Sequence, residues 1–230
     1  IPSFIPGKKV AVFHGFNSGK LNRKGKEDHF NIRGCFDLYC TQGPNTTLRF
    51  QELAKKHGFF QVSETGWPTL DPLFNDHASN PYLSKNSRPT VLICSTFSKR
   101  LSLETDNVIP LLQSADVMLC DTSSILLMFL VQRKPVVTFC NKAPEKHLLD
   151  ITDKNNVEAA IDYALTYPKE LVDNIEAFCQ ELHPYTDGKS SQRVLCATNE
   201  LLHSDEKLKA KPLNLLRQFK MRKRLNYWSW

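Results

Sequence analysis

An α/β fold built on parallel sheets is what the sequence predicts, and three observations predict it. Short apolar runs bounded by Gly, Pro and Asn recur along the chain, and segments of helical periodicity separate several of them. The later runs are also apolar at successive positions rather than alternate ones, as strands are when both faces of a parallel sheet are covered.

Taken in order, Lys9–Phe13 (KVAVF) predicts a strand that delivers His14-Gly15 at its carboxyl end. The basic, glycine-containing stretch Phe16–Lys26 reads as a loop, and Phe36–Cys40 (FDLYC) as a second strand running into Thr41-Gln42-Gly43-Pro44. Asn45–Gly58 has the apolar spacing of a helix, with Asn45 or Thr46 as its cap. Gln61–Trp67 predicts a strand ending at Pro68, and the polar, Pro- and Asn-rich Asp76–Arg88 a linker. Thr90–Ser95 (TVLICS), Val117–Cys120 (VMLC) and Pro135–Phe139 (PVVTF) then read as buried strands. Ser124–Gln132, Val157–Tyr167, Pro168–Leu182 and Ser191–Leu202 read as helices. This punctuation divides the chain into an N-terminal domain 1–88, a C-terminal domain 89–206 and a basic aromatic tail 207–230.

At 230 residues, 41% hydrophobic and 23% charged, the chain has the composition of an ordinary globular protein. Its longest apolar run, around Ile125–Val131, is closed by Gln132-Arg133-Lys134 and falls well short of the ~20 residues of a membrane-spanning helix. Ile1–Gly7 has neither the basic nor the apolar region of a signal peptide. Seven cysteines, odd in number and without a C-x-x-C, predict buried, reduced thiols and a cytoplasmic protein. Cys35 and Cys40 lack a zinc spacing, so no metal is expected there. His29, His57, His77, His147 and His203 lie in polar loops or helix ends and are expected to be solvated.

Charge is concentrated at one end. The net charge of +6 arises because 207–230 holds eight Lys and Arg and no Asp or Glu, leaving the preceding residues slightly acidic. With Leu213, Leu215, Leu216, Phe219 and the closing Tyr227-Trp228-Ser229-Trp230, this segment suits an anionic membrane surface; it equally suits a terminal helix packing Leu and Phe on the body. Nucleic acid is not an expected partner, because the body offers no matching basic surface or binding motif.

Two places carry chemistry. Asp121-Thr122-Ser123-Ser124 leaves a predicted strand and opens a predicted helix, where small hydroxyl side chains let a phosphate approach backbone amides at a positive helix end. The same residues would also serve simply as a helix cap. His14, again just past a strand, neighbours Lys20, Arg23, Lys24 and Lys26, and an imidazole there can take a proton from a hydroxyl or serve structure alone.

At these residues the chain resembles a known family. His14-Gly15-Phe16, Asp28–Pro44 (DHFNIRGCFDLYCTQGP) and Thr65–Asp71 (TGWPTLD) are similar to the first half of the CDP-glycerol glycerophosphotransferases, the polymerases of teichoic acid and capsule. Val91–Ser102 (VLICSTFSKRLS), Ile109–Phe139 and His183–Val194 (HPYTDGKSSQRV) resemble the second half, and all occur in family order.

The resemblance implies a GT-B architecture of two Rossmann-like domains, the first N-terminally incomplete and the second shortened. It implies CDP-glycerol as donor, a polymer or lipid-linked hydroxyl as acceptor and CMP as leaving group, at the cytoplasmic face of the cell membrane. His14 then matches the family's base, with Gly15 and Lys20 in the acceptor-side loop. Ser123 and Ser124 match the pair at the donor pyrophosphate, with Thr122 beside them and Lys189, Ser190 and Ser191 facing the phosphates. No resident cofactor is called for, and a Mg²⁺ carried in with substrate needs few protein ligands. The chain departs from the family between Ser102 and Asp106, where relatives carry a longer segment with a second catalytic histidine, and at Met128, where relatives place an acidic residue. Two other readings fit the fold: a nucleotide-sugar glycosyltransferase, and a nucleotide-binding or membrane-associated homologue without turnover.

Overall fold

The computed structural model describes residues 6–16, 27, 29–75, 80–82, 88–94, 107–121 and 124–228. In chain order its elements are β1 (Val10–Val12), β2 (Leu38–Thr41), α1 (Pro44–His57), β3 (Gln61–Glu64), α2 (Asp71–Phe74), β4 (Val91–Cys94), α3 (Ile109–Ser114) and β5 (Val117–Cys120). There follow α4 (Ile125–Leu130), β6 (Val136–Phe139), β7 (Leu149–Ile151), α5 (Val157–Leu165), α6 (Lys169–Leu182), α7 (Ser190–His203) and α8 (Leu215–Leu225). The strands form two parallel sheets, β1-β2-β3 and β4-β5-β6-β7, the α/β class the sequence predicts. Two compact units result, Ile1–Trp67 with Ser191–Trp230, and Pro68–Ser190; α7 belongs with the first because Ala197 and Leu201 pack on its sheet.

In the first unit the two-residue period of β2 sends side chains to opposite faces. Tyr39 joins Ala11, Phe50, Phe59 and Phe60 under α1, while Leu38 and Cys40 meet Ala197 and Leu201 of α7 on the other side. The sheet is thus covered on both faces, as a parallel sheet requires. Burial pushes the Tyr39 phenol up to about 12, against the opposing charges of Arg33 and Arg217. The start of α1 differs from expectation: Gly43, not Asn45 or Thr46, is the N-cap, with Pro44 in the first turn, where a missing N–H costs nothing. The Thr46 hydroxyl instead donates to the Gly43 carbonyl at 3.0 Å. The helix closes at Gly58, whose φ of 75° is left-handed and whose N–H donates to Ala54 O at 2.7 Å.

In the second unit Val117, Val137 and Ile151 pack with Ala160 and Ala164 of α5 on one face of the sheet. Met118 and Val136, also fully buried, alternate to the other, and α4 lies against β5 and β6. The amphipathic spacing of α6 buries Leu171, Ile175, Cys179 and Leu182, and the Cys179 thiol donates to Leu130 O at 3.1 Å. Lys134, which closes the apolar run in the sequence, donates its ammonium to the carbonyls of Gln113 at 2.8 Å and Ala115 at 2.7 Å, neutralising the negative end of α3.

Two expectations about polar residues are corrected. His147 is buried rather than solvated: its ring stacks on Phe178 with centroids 3.7 Å apart, and burial lowers its proton affinity. All seven cysteines are free thiols, but Cys140 and Cys196 are exposed, Cys140 just past the end of β6 and Cys196 on the outward side of α7.

Candidate functional site

Because β1, β2 and β3 are parallel, the segments that follow them leave the first sheet at one edge, the edge where sheets of this kind receive ligands. His14 stands two residues past β1 with its side chain exposed. Its turn is gripped from both neighbouring segments. Gln42, only 2% exposed, donates from Nε2 to Gly15 O at 3.0 Å. The buried ring of Phe16 meets Trp67 edge to face, 5.0 Å between centroids and 71° between planes. An exposed imidazole on a fixed turn is free to exchange protons with a bound hydroxyl without moving its backbone.

The same edge holds the first turn of α1. The Thr47 hydroxyl lies 2.7 Å from that of Thr41 and 2.6 Å from Glu64 Oε2. With a single proton, it donates to the carboxylate, the charge-assisted contact. The Glu64 carboxylate at the end of β3 is thus tied to the first turn of α1.

In the second unit, β5 leads to Asp121, and Ser124 forms the N-cap of α4 with an exposed side chain that makes no capping bond. Thr122, Ser123 and Lys20, singled out in the sequence, lie outside the described residues, as do Ser102 and Asp106. Cys94 and Cys120 are register partners at the ends of β4 and β5. Burial raises both thiols, Cys120 to about 12, and Asp121 adds to the effect, so both are protonated and poor nucleophiles.

Of the 189–191 group, Lys189 and Ser191 are exposed. Ser190 is only 1% exposed, and its amide donates to Asp71 Oδ1 at 2.8 Å. His183 is a core residue, 1% exposed, stacked on Phe74 and edge-on to Tyr185, and burial pushes its ring down to about 4. It is neutral near pH 7 and has no access to a bound hydroxyl. Among the described residues no cluster of three His, Cys, Asp or Glu is arranged to hold a metal ion.

Sequence reasoning missed Gln42, Glu64, Trp67 and Asp71 as supporting residues. For Gln42 and Trp67 a signal existed, since both lie within the quoted family-like segments at strand ends.

No family model matches the chain, and no curated protein does. Solved structures do. The chain is similar to the wall teichoic acid polymerase TagF, with a TM-score of 0.59 and 14% identity over 86% of this chain and 70% of that one. A TagF variant soaked with CDPG for 15 minutes gives 0.53 and 15%, over 85% and 69%. A UDP-N-acetylglucosamine 2-epimerase gives 0.50 and 16%, over 77% and 61%. These likenesses establish the fold: two Rossmann-type parallel-sheet units of the GT-B-like kind.

Proposed function

We propose that this chain is a transferase of the CDP-glycerol glycerophosphotransferase type. The observation that carries the reading is the likeness to TagF across most of the chain, joined to family-like segments that occur in family order. In this reading the acceptor hydroxyl attacks the phosphorus that bears the donor glycerol. The P–O bond to CMP breaks, CMP leaves with the bridging oxygen, and His14 takes the hydroxyl proton. Thr122, Ser123 and Ser124 meet the donor pyrophosphate, and Lys189 and Ser191 flank buried Ser190 beside it. Gly15 and Lys20 shape the acceptor side. Transfer of a phosphoryl group asks for positioning and neutralisation of charge, which hydroxyls, amides and a lysine supply, with a Mg²⁺ entering on the substrate where one is needed. The acceptor is a polymer or lipid-linked glycerol phosphate, at the cytoplasmic face of the cell envelope.

Supplied with CDP-glycerol and a glycerol phosphate-primed acceptor, the protein is expected to lengthen the acceptor and release CMP. His14→Ala abolishes turnover while CDP binding by calorimetry survives; unchanged turnover would remove His14 from the chemistry. The epimerase likeness supports a second reading, a GT-B enzyme using a nucleotide sugar. Consumption of UDP-N-acetylglucosamine in preference to CDP-glycerol would select it, and CDP binding without product would select a non-catalytic homologue.

A further inference from the structure

Helix α8 is built with its apolar side outward. Arg222 is buried, and Arg217, Gln218 and Met221 lie half-buried on the same side. Leu216 is 81% and Leu215 67% exposed, with Phe219 exposed beside them and Leu213 exposed just before the helix. Trp228 extends this surface by packing edge-on against Phe219 with centroids 5.8 Å apart. The alternative in which the helix buries its Leu and Phe on the body is therefore overturned. Exposed Lys220, Lys223 and Arg224 border the apolar group, and 207–230 contains no acidic residue.

This arrangement is tethered in place on the first unit. Lys209 N donates to Gly58 O at 2.8 Å, the Lys211 ammonium pairs with Asp37 at 2.6 Å, and Asn214 Nδ2 donates to Arg33 O at 3.1 Å. Asp37, itself buried, also receives the Lys9 amide at 2.7 Å. The segment leading into α8 is thus held at three points, so the helix presents its apolar side in a fixed direction.

We infer that α8 and its flanks form a docking surface for an anionic lipid bilayer. Leu213, Leu215, Leu216 and Phe219 enter the acyl boundary, Trp228 sits at headgroup depth, and Lys220, Lys223 and Arg224 meet lipid phosphates. An outward apolar stripe alone would fit a second copy of the chain equally well. The flanking cations with no counter-anion in the segment decide for an anionic surface, since a twofold copy would set cation against cation. The inference stands apart from the donor chemistry proposed above, and its readout is binding rather than activity.

The test is sedimentation of the full chain with vesicles of phosphatidylcholine alone and of phosphatidylcholine containing phosphatidylglycerol. Binding to the anionic vesicles is expected to be at least about tenfold tighter and to weaken as salt is raised. Leu216→Glu with Phe219→Glu abolishes it, and Lys220→Glu with Lys223→Glu lowers it by about tenfold or more. All four positions are exposed, so circular dichroism and melting should match the parent. Equal binding to both vesicle types, or binding indifferent to both variants, overturns the inference. So does a dimer in analytical ultracentrifugation that Leu216→Glu dissociates while vesicles bind nothing, which would assign the face to a second copy.

Discussion

The buried amide of Gln42 donates to the carbonyl of Gly15 at 3.0 Å, so the turn carrying His14 is fixed from the neighbouring strand's end. Gln42→Leu keeps the volume and removes the donor, leaving the Gly15 carbonyl short of a partner. Such a loss costs about 1–3 kcal/mol, and it falls on the turn that presents the imidazole. Urea unfolding should show that decrease. Turnover should fall at least about tenfold while the affinity for CDP stays at the parent value, since the lost bond positions the proposed base and not the proposed Ser123–Ser124 phosphate site. A variant with parental stability and turnover would show that the bond holds nothing that matters.

Gly188 has a φ of 63°, and a Cβ built on it would lie 2.4 Å from Asn75 Oδ1 and 3.0 Å from the carbonyl of Asp71. Asp71 is also the residue whose carboxylate holds the Ser190 amide. Gly188→Ala therefore combines a left-handed backbone penalty of about 1–2 kcal/mol with a clash that the Asn75 side chain must turn away to relieve and a tight approach to the Asp71 carbonyl. The melting temperature should drop by several degrees, on the order of 2–4 °C for each kcal/mol in a chain of this size. A drop with unchanged circular dichroism, paired with weakened CDP binding, would tie this turn to the donor side; an unchanged melting temperature would contradict the strain.

Much of the fold was legible because it rests on periodicity. The apolar strands β4, β5 and β6 and the helices α1, α5, α6 and α7 are long or apolar enough to declare themselves, and the structure shifts their ends by a residue or two, although β4, expected buried, is only half-buried with Ile93 71% exposed. What escaped is short or set by tertiary contact. The three residues of β7 form a strand by pairing with β6, and the four of α2 carry too little pattern to read. His147 reads as solvated after the charged pair Glu145-Lys146, yet Phe178, thirty-one positions later, covers its ring. At the candidate site, His14 and Ser124 stood out because strand ends and hydroxyl runs are local signals. Gln42 and Asp71 did not, since each acts on a residue far along the chain. The direction of α8 was equally illegible: composition reveals an amphipathic segment but not which side it turns to the body.

The buried ring of His183 gives stability a predictable pH dependence. Desolvation by Phe74 and the surrounding core holds its proton affinity down at about 4, against 6.5 in an unfolded chain. Between these values the unfolded state binds the proton and the folded state does not. Unfolding free energy therefore rises with pH across this window and falls as the solution is acidified through it. Full expression of the shift corresponds to about 3 kcal/mol lost between pH 7 and pH 4. His147, also lowered by burial, acts in the same direction, and Glu176, held down by Arg133 and Gln180, adds acid sensitivity at the lower end. His183→Gln removes the titrating ring and keeps a polar side chain of similar size. In urea titrations from pH 7 to pH 4, the parent should lose stability more steeply than the variant, the gap opening below about pH 6.5. Parallel pH curves would show that the ring is protonated in the folded state as readily as in the unfolded one, and that the core around Phe74 does not exclude the charge.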